Sequence, residues 1–78
     1  MPTVLRVDGY RFFFWSNERT EPAHIHVEHQ SGNAKFWLSP VSLARARGFD
    51  ASELNKLHKI VVNNQTFFLE TWNEFFTR

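Results

Sequence analysis

The sequence predicts an α+β fold, in which a small antiparallel sheet of four strands is followed by a short helix and a long C-terminal helix packed on one face. Three observations support this ββββαα order. Runs rich in β-branched and aromatic residues fill the first half of the chain. Turn residues separate those runs. After Asp50 the apolar residues recur at helical spacing instead.

The four predicted strands cover residues Thr3–Val7, Tyr10–Trp15, Ala23–His29 and Ala34–Leu38. Asp8-Gly9 between the first two predicts a tight hairpin, because a type I′ turn needs positive φ at both central residues. The charged segment before Pro22 is a loop, and the polar residues 30–33 form the next turn. The sheet is therefore antiparallel throughout.

Ser39-Pro40 is typical of a helix start, with serine at the N-cap and proline in the first turn. A short helix is therefore predicted over Val41–Arg47, ending at Gly48. Such a helix would leave the sheet with four strands.

The long helix is predicted from Ala51 to about Phe76, with Asp50 and Glu53 as its capping box. At 1.5 Å per residue it would measure about 40 Å, whereas a domain of this length is about 26 Å across. We therefore expect it to bend or break, most readily at Asn63-Asn64, where two weak helix formers adjoin.

Composition limits the classes of protein to consider. The 78 residues suffice for one domain, spanning 1–78, and contain no cysteine for a disulfide or thiolate metal site. The net charge of +1 means that nucleic-acid binding would need a local basic patch. Without a signal peptide or an apolar run of about 20 residues, a cytoplasmic protein with no membrane partner is predicted.

The third strand carries the candidate site. Side chains alternate across a strand, so His24, His26 and Glu28 share one face if Ile25 and Val27 face the core. The same outer face is predicted to carry aromatic and cationic side chains from the other strands, namely Phe13, Trp15, Lys35 and Trp37. Two imidazoles and a carboxylate would thus stand together on a face opposite the helices.

One interpretation of this face is acid–base chemistry on RNA. His24 and His26, about 6 to 7 Å apart along the strand, would take the 2′-OH proton and protonate the leaving oxygen. Lys35 or Arg11 would stabilise the phosphate charge. Trp15 and Trp37, with Phe13, would stack unpaired bases of single-stranded RNA. We assign Arg11, Trp15, Lys35 and Trp37 to substrate binding, together with Glu21 of the adjoining loop.

A second interpretation is a metal site. His24, His26 and Glu28 form a partial ligand set for Zn²⁺ or another divalent ion. Side chains that step along one strand diverge, so a further ligand would come from Glu18, Glu21 or His58. No other cofactor is predicted.

A third interpretation is structural, because histidine and glutamate are ordinary on the solvated face of an antiparallel sheet. His24 would then hydrogen-bond Glu18 or Glu21, while His29 and His58 would have structural roles. Arg45 and Arg47, with Arg19, would form a basic rim or simply the solvated face of the short helix.

The last helix has more aromatic residues than one core stripe needs. We expect Phe68, Trp72 and Phe75 in the core, and Phe67 and Phe76 in a homodimer or partner-protein interface. A non-catalytic interaction module would use this helix together with the sheet face.

Several segments resemble the small bacterial proteins grouped as DUF4160. They are Met1-Pro2-Thr3-Val4-Leu5-Arg6, Gly9-Tyr10-Arg11-Phe12-Phe13-Phe14, Ser16-Asn17-Glu18, Glu21-Pro22-Ala23-His24-Ile25-His26-Val27, Ala34-Lys35-Phe36-Trp37-Leu38 and Trp72-Asn73-Glu74-Phe75-Phe76. The most specific is Glu-Pro-x-His-x-His-Val. The resemblance implies no catalytic residues. It does imply a neighbouring gene, since genes of this family often lie beside a gene for a DUF2442 protein. This layout is similar to that of a type II toxin–antitoxin module.

In such a module this chain would be the toxin and the DUF2442-type protein its antitoxin. Two function classes therefore follow from the sequence: a small ribonuclease-like toxin acting through His24 and His26, or a binding module that holds RNA or a protein without chemistry.

Overall fold

The computed structural model of the chain describes residues 3–16 and 20–76. Within them the chain forms five strands and two helices: β1 (Thr3–Val7), β2 (Tyr10–Phe13), β3 (His24–His29), β4 (Gly32–Leu38), β5 (Val41–Arg47), α1 (Ala51–Asn63) and α2 (Gln65–Phe76). The strands pair antiparallel in chain order. The α+β class is therefore confirmed, while the strand count differs from the prediction.

The first two hairpin turns follow the sequence closely. Asp8 and Gly9 both have positive φ, 51° and 86°, as the predicted type I′ turn requires. Gln30 and Ser31 connect β3 to β4, so β4 begins two residues earlier than expected, at Gly32. A side chain at Gly32 would meet the ring of Phe49 at 2.6 Å, which explains glycine there.

The predicted short helix over Val41–Arg47 is wrong, because this segment is the edge strand β5. Ser39 and Pro40, joined by a cis peptide bond, form the turn after β4. The register pairs Lys35 with Arg45 but Phe36 with Leu43, which leaves Ala44 in a β-bulge. The bulge interrupts the alternation of apolar and polar residues that would otherwise have indicated a strand.

The predicted break in the long helix is confirmed. α1 ends at Asn63, and Asn64 caps it by donating from its side-chain amide to the Ile60 carbonyl at 2.8 Å. The carbonyl of Asn64 then accepts from Phe68 N at 2.9 Å in the first turn of α2. Gln65 Nε2 donates to the Leu38 carbonyl at 2.7 Å, so the joint is fixed against the end of β4.

The core lies between the sheet and the two helices. Alternate side chains of the strands meet the apolar stripes of α1 and α2, and the largest fully buried ones are Phe12, Phe14, Phe36, Phe68, Ile25, Leu38 and Leu57. Asp50 caps α1 as predicted, accepting from Glu53 N at 2.8 Å. The helices thus occupy one side of the sheet, and the predicted outer face lies on the other. No helix in the described ranges has the length and apolar character needed to cross a membrane.

Candidate nucleic-acid interface

The strand register arranges the outer face in cross-strand rows. One row runs from Thr3 on β1 through Phe13, His26 and Lys35 to Arg45 on β5. The next row on the same face lies two residues further along β2 to β5, and it contains Arg6, Arg11, Glu28, Asn33 and Arg47. Residues paired in this way lie on the same face of a sheet. The register thus brings together the predicted His26, Glu28, Lys35 and Arg11.

His24 is fully buried, so the expectation of two imidazoles on an open face is wrong for this residue. Its ring packs 4.8 Å from that of Trp72 on α2 and 5.7 Å from that of Trp37. Its Nδ1 lies 2.9 Å from the Pro22 carbonyl oxygen, and since a carbonyl only accepts, Nδ1 carries the proton. In the neutral ring, Nε2 therefore holds the lone pair.

His26 is 6% exposed and sits among aromatic rings. Its ring stacks on Phe13 at 5.5 Å and meets Trp15 edge-on at 6.2 Å. The His24 and His26 rings are 5.1 Å apart and nearly perpendicular. Both histidines, like Glu21, have further partners besides these contacts. The two rings are adjacent as predicted, but neither stands open to solvent: His24 is fully buried, and His26 is buried apart from the part that lines a pocket on the outer face.

Lys35 does not project into solvent as a substrate-binding lysine would. It is 5% exposed, its Nζ pairs with the carboxylate of Glu21, and the ammonium lies 4.5 Å over the Trp37 ring. A buried ammonium needs such compensation, since removing one partner of a buried pair is strongly destabilising. Lys35 and Glu21 therefore do meet, as an ion pair that holds the loop to the sheet.

Arg11 is fixed on the outer face by three neighbours. Its Nη1 donates to Glu28 Oε2 at 2.9 Å and its Nε donates to Thr3 Oγ1 at 2.7 Å. Its guanidinium also lies 4.4 Å over the ring of Phe13. Arg11 thus holds Glu28 in one orientation, and Glu28 partly neutralises Arg11.

A pocket of about 300 Å³ opens on this face. It is lined by Phe13, Trp15, His26, Val27, Glu28, Asn33, Ala34 and Arg45. Its charged lining residues are Glu28 on β3 and Arg45 on β5, which is exposed and has no ion pair within residues 3–16 and 20–76. We expected Arg45 only in a rim, because the segment was predicted as a helix. The alternation of arginine and alanine at its end was the signal for a strand that faces solvent on one side.

The geometry does not favour the predicted metal site. In the part of the chain that the structure describes, no group of three His, Cys, Asp or Glu residues is placed to hold a metal ion. Glu28 turns to Arg11 instead of to the histidines. His58 lies away from the strand on the exposed side of α1, 6.3 Å from the Phe36 ring. Glu18, like Arg19 of the predicted rim, lies outside the described residues.

The two predicted interface phenylalanines differ in burial. Phe67 is 45% exposed and lines an apolar groove of about 580 Å³ between β1 and α2. Phe76 is partly buried and packs against the core, 4.1 Å from the Trp72 ring, so it offers a partner less surface than Phe67 does. Phe75, expected in the core, is 36% exposed in the same groove. The exposed aromatic side of α2 therefore contains Phe67 and Phe75, whereas the spacing predicted Phe67 and Phe76.

A comparison with known families gives one match. Residues 9–73 match the model of DUF4160, a domain of unknown function, and this is well over half of the chain. The chain belongs to the DUF4160 family. No curated protein and no solved structure matches it.

The DUF4160 match begins at the first hairpin turn and ends near the last turn of α2. It therefore includes every strand that lines the outer-face pocket, from Phe13 to Arg45, and both histidines. β1, which carries Thr3 and Arg6, lies outside the matched range.

Proposed function

We propose that this DUF4160 protein binds single-stranded RNA on the outer face of its sheet, and that it acts in this way as the toxin of a two-protein module. The toxin role rests on the family resemblance. The RNA binding rests on the outer face.

The observation that carries the proposal is the concentration of cations on that face. The strand rows bring five cationic side chains to the face, and two of them are paired: Arg11 with Glu28, and the buried Lys35 with Glu21. The other three, Arg6, Arg45 and Arg47, are exposed. The whole chain has a net charge of only +1, so its charges are segregated. A local basic surface of this kind attracts a phosphate backbone.

Aromatic side chains complete the surface. Trp15 is 43% exposed at the edge of the pocket, and Trp37 is half-buried beside Lys35. Base–aromatic stacking contributes about 1 to 3 kcal/mol per base and needs unpaired bases. The exposed indole ring of Trp15, in the same pocket as the cation of Arg45, therefore favours a single strand over a duplex.

Fluorescence anisotropy with a labelled RNA of about ten nucleotides tests the binding. We expect Arg45→Glu to weaken binding about tenfold, because it reverses a charge beside the phosphates. Lys59→Glu makes the same change of charge on the exposed side of α1 and should leave affinity within about twofold. Lys35 is unsuitable for this test because it is buried and paired.

Two results would contradict the proposal: wild-type protein that fails to bind at low salt, or equal losses in Arg45→Glu and Lys59→Glu. A duplex of the same sequence serves as a further control and should bind more weakly. Circular dichroism of both variants checks that the fold is retained.

RNA cleavage is the second candidate, favoured by the contact between the two histidines. His26 would take the 2′-OH proton as the 2′-oxygen attacks the phosphorus. The bond from phosphorus to the 5′-oxygen would break, a water molecule would protonate that oxygen, and a cyclic phosphate would remain. His24, buried 5.1 Å behind His26 and fixed by Pro22, would position that ring. Of the two histidines, only His26 would touch the RNA.

Growth assays separate binding from cleavage. We expect expression of the wild type to arrest growth and co-expression of a DUF2442-type partner to relieve the arrest. Arg45→Glu should relieve it in either case, whereas His26→Gln should relieve it only if the protein cleaves RNA. His58→Gln, an exposed histidine on α1, is the matched control. Normal growth with the wild type would refute the toxin role while leaving RNA binding to the anisotropy measurement.

The antitoxin would cover an apolar surface of the toxin, and the groove of about 580 Å³ that contains Phe67 and Phe75 is such a surface. Phe67→Ser should then prevent relief by the partner without preventing the arrest. Relief that persists in this variant would place the partner elsewhere.

A further inference from the structure

We infer that the outer-face pocket accepts a guanine base, an inference that rests on the RNA binding proposed above. Glu28 on one side of the pocket and Arg45 on the other would select this base.

The pocket has the size and walls of a site for one base. Its volume is about 300 Å³, at the lower end of the usual range for small-ligand pockets. Trp15 and Phe13, whose rings meet edge to face at 5.5 Å, form an aromatic wall, and His26 stacks on Phe13. Aromatic and imidazole rings are the side chains on which proteins stack extruded bases.

Glu28 supplies acceptors in a fixed place. Arg11 holds its Oε2 at 2.9 Å, and Thr3 and the Phe13 ring hold Arg11 in turn. Within the described residues Oε1 accepts no hydrogen bond from a side chain, and the carboxylate is 48% exposed. An ionised carboxylate only accepts, so it requires N–H groups on the ligand.

Arg45 supplies donors from the opposite side. It lies two strands from Glu28, which separates the two backbones by about 10 Å. A guanidinium only donates, in a planar fork that matches two adjacent acceptors. Asn33 on β4, the strand between them, pairs with Glu28 and also lines the pocket, with an amide that can accept or donate.

Guanine matches this arrangement better than any other base. Its Watson–Crick edge has two adjacent donors, N1–H and the N2 amino group, and its O6 and N7 are the pair that arginine contacts in two-pronged fashion. Cytosine and adenine each offer one amino group to a carboxylate, and uracil offers a single N–H. The other bases therefore leave either Glu28 or Arg45 incompletely paired.

The test uses uridine oligomers of about ten nucleotides in which one central base is varied. We expect the guanine oligomer to bind about tenfold tighter than the adenine, cytosine and uracil oligomers, since one two-pronged contact is worth about 1 to 3 kcal/mol. Replacing guanine with inosine, which lacks the N2 amino group, should remove most of this preference. 7-Deazaguanine, which lacks N7, should weaken binding through the loss of an Arg45 contact.

Glu28→Gln tests the protein side, because an amide places N–H groups towards the donors of guanine. The preference for guanine over uracil should fall below about twofold. Glu70→Gln on the exposed side of α2 makes the same change of charge and should retain the preference.

The outcomes separate the two proposals. Four oligomers bound equally, or cytosine bound most tightly, would overturn the guanine pocket and leave RNA binding intact. A failure to bind any oligomer would overturn the RNA binding itself. Because inosine and 7-deazaguanine change the RNA alone, the test does not depend on the folding of a variant.

Discussion

Among single residues, Tyr10 couples the sheet to α1. Its hydroxyl donates to Glu53 Oε2 at 2.7 Å, and its ring packs 4.7 Å from that of His29. The hydrogen bond to the Glu53 carboxylate, burial and nearby negative charges together raise the pKa of Tyr10 to about 12. Each cause favours the neutral phenol in the folded protein. Ionisation of Tyr10 is therefore easier in the unfolded chain and favours unfolding.

This linkage predicts a loss of stability at high pH. An unfolded tyrosine titrates near pH 10, whereas folded Tyr10 keeps its proton to about pH 12. Protonated Tyr10 therefore adds its full amount to the free energy of unfolding below about pH 10. This stabilisation is lost as the pH rises to about 12. Urea unfolding at a series of pH values should show this fall in the wild type and less of it in Tyr10→Phe.

Absorbance provides an independent check, because the chain contains a single tyrosine. The tyrosinate band of the folded protein should appear near pH 12. A titration centred on pH 10 in the folded protein would show that the Glu53 hydrogen bond does not hold in solution.

For His24 and His26, the sequence predicts that the rings are neighbours but not that they are buried. Alternation along β3 places His24 and His26 on one face, and the structure agrees that their rings are neighbours. Their burial depends on Trp72 from α2 and on Trp15 from the segment after β2, which no pattern local to β3 encodes. Lys35 is similar, since its burial depends on Glu21 from the loop.

Among the elements, α2 separates adjacent phenylalanines by function. Phe68 is fully buried against Phe12, with ring centroids 5.6 Å apart, whereas Phe67 is 45% exposed. A helix turns 100° per residue, so neighbours on its surface face different environments. One side of α2 therefore stabilises the fold, and the other is available for contact with a partner.

Alanine substitutions at these two positions should differ in cost. Phe68→Ala is expected to lower the free energy of unfolding by about 3 to 5 kcal/mol, because it leaves a cavity in the core. Phe67→Ala should change it by less than about 1 kcal/mol. Urea unfolding followed by tryptophan fluorescence measures both. Equal costs would mean that Phe67 is also buried in solution.

β5 is a strand although its local sequence favours a helix. Ser39-Pro40 and the residues Leu, Ala and Arg after it favour a helix locally. Seven residues are too few for an independently stable helix, whereas pairing with β4 satisfies the backbone of the segment. The unpaired β4 edge, which exists only in the folded chain, therefore decides its conformation.

For the whole molecule, the sheet separates stability from the proposed activity. Its inner face packs on the helices, and its outer face carries the arginines and the pocket proposed to bind a base. Changes at Arg45 or Glu28 should therefore alter RNA binding more than folding, and changes at Phe68 the reverse.

The sequence by itself determined the α+β class, the Asp8-Gly9 hairpin, the Asp50 cap, the break near Asn64 and the shared face of the histidines. Each depends on propensity or periodicity among residues close in the chain. Only the tertiary structure decided the fifth strand, the burial of His24 and Lys35, the exchange of Phe75 for Phe76 and the pairing of Glu28 with Arg11. These depend on contacts between distant segments, where burial and ion pairing outweigh local preference.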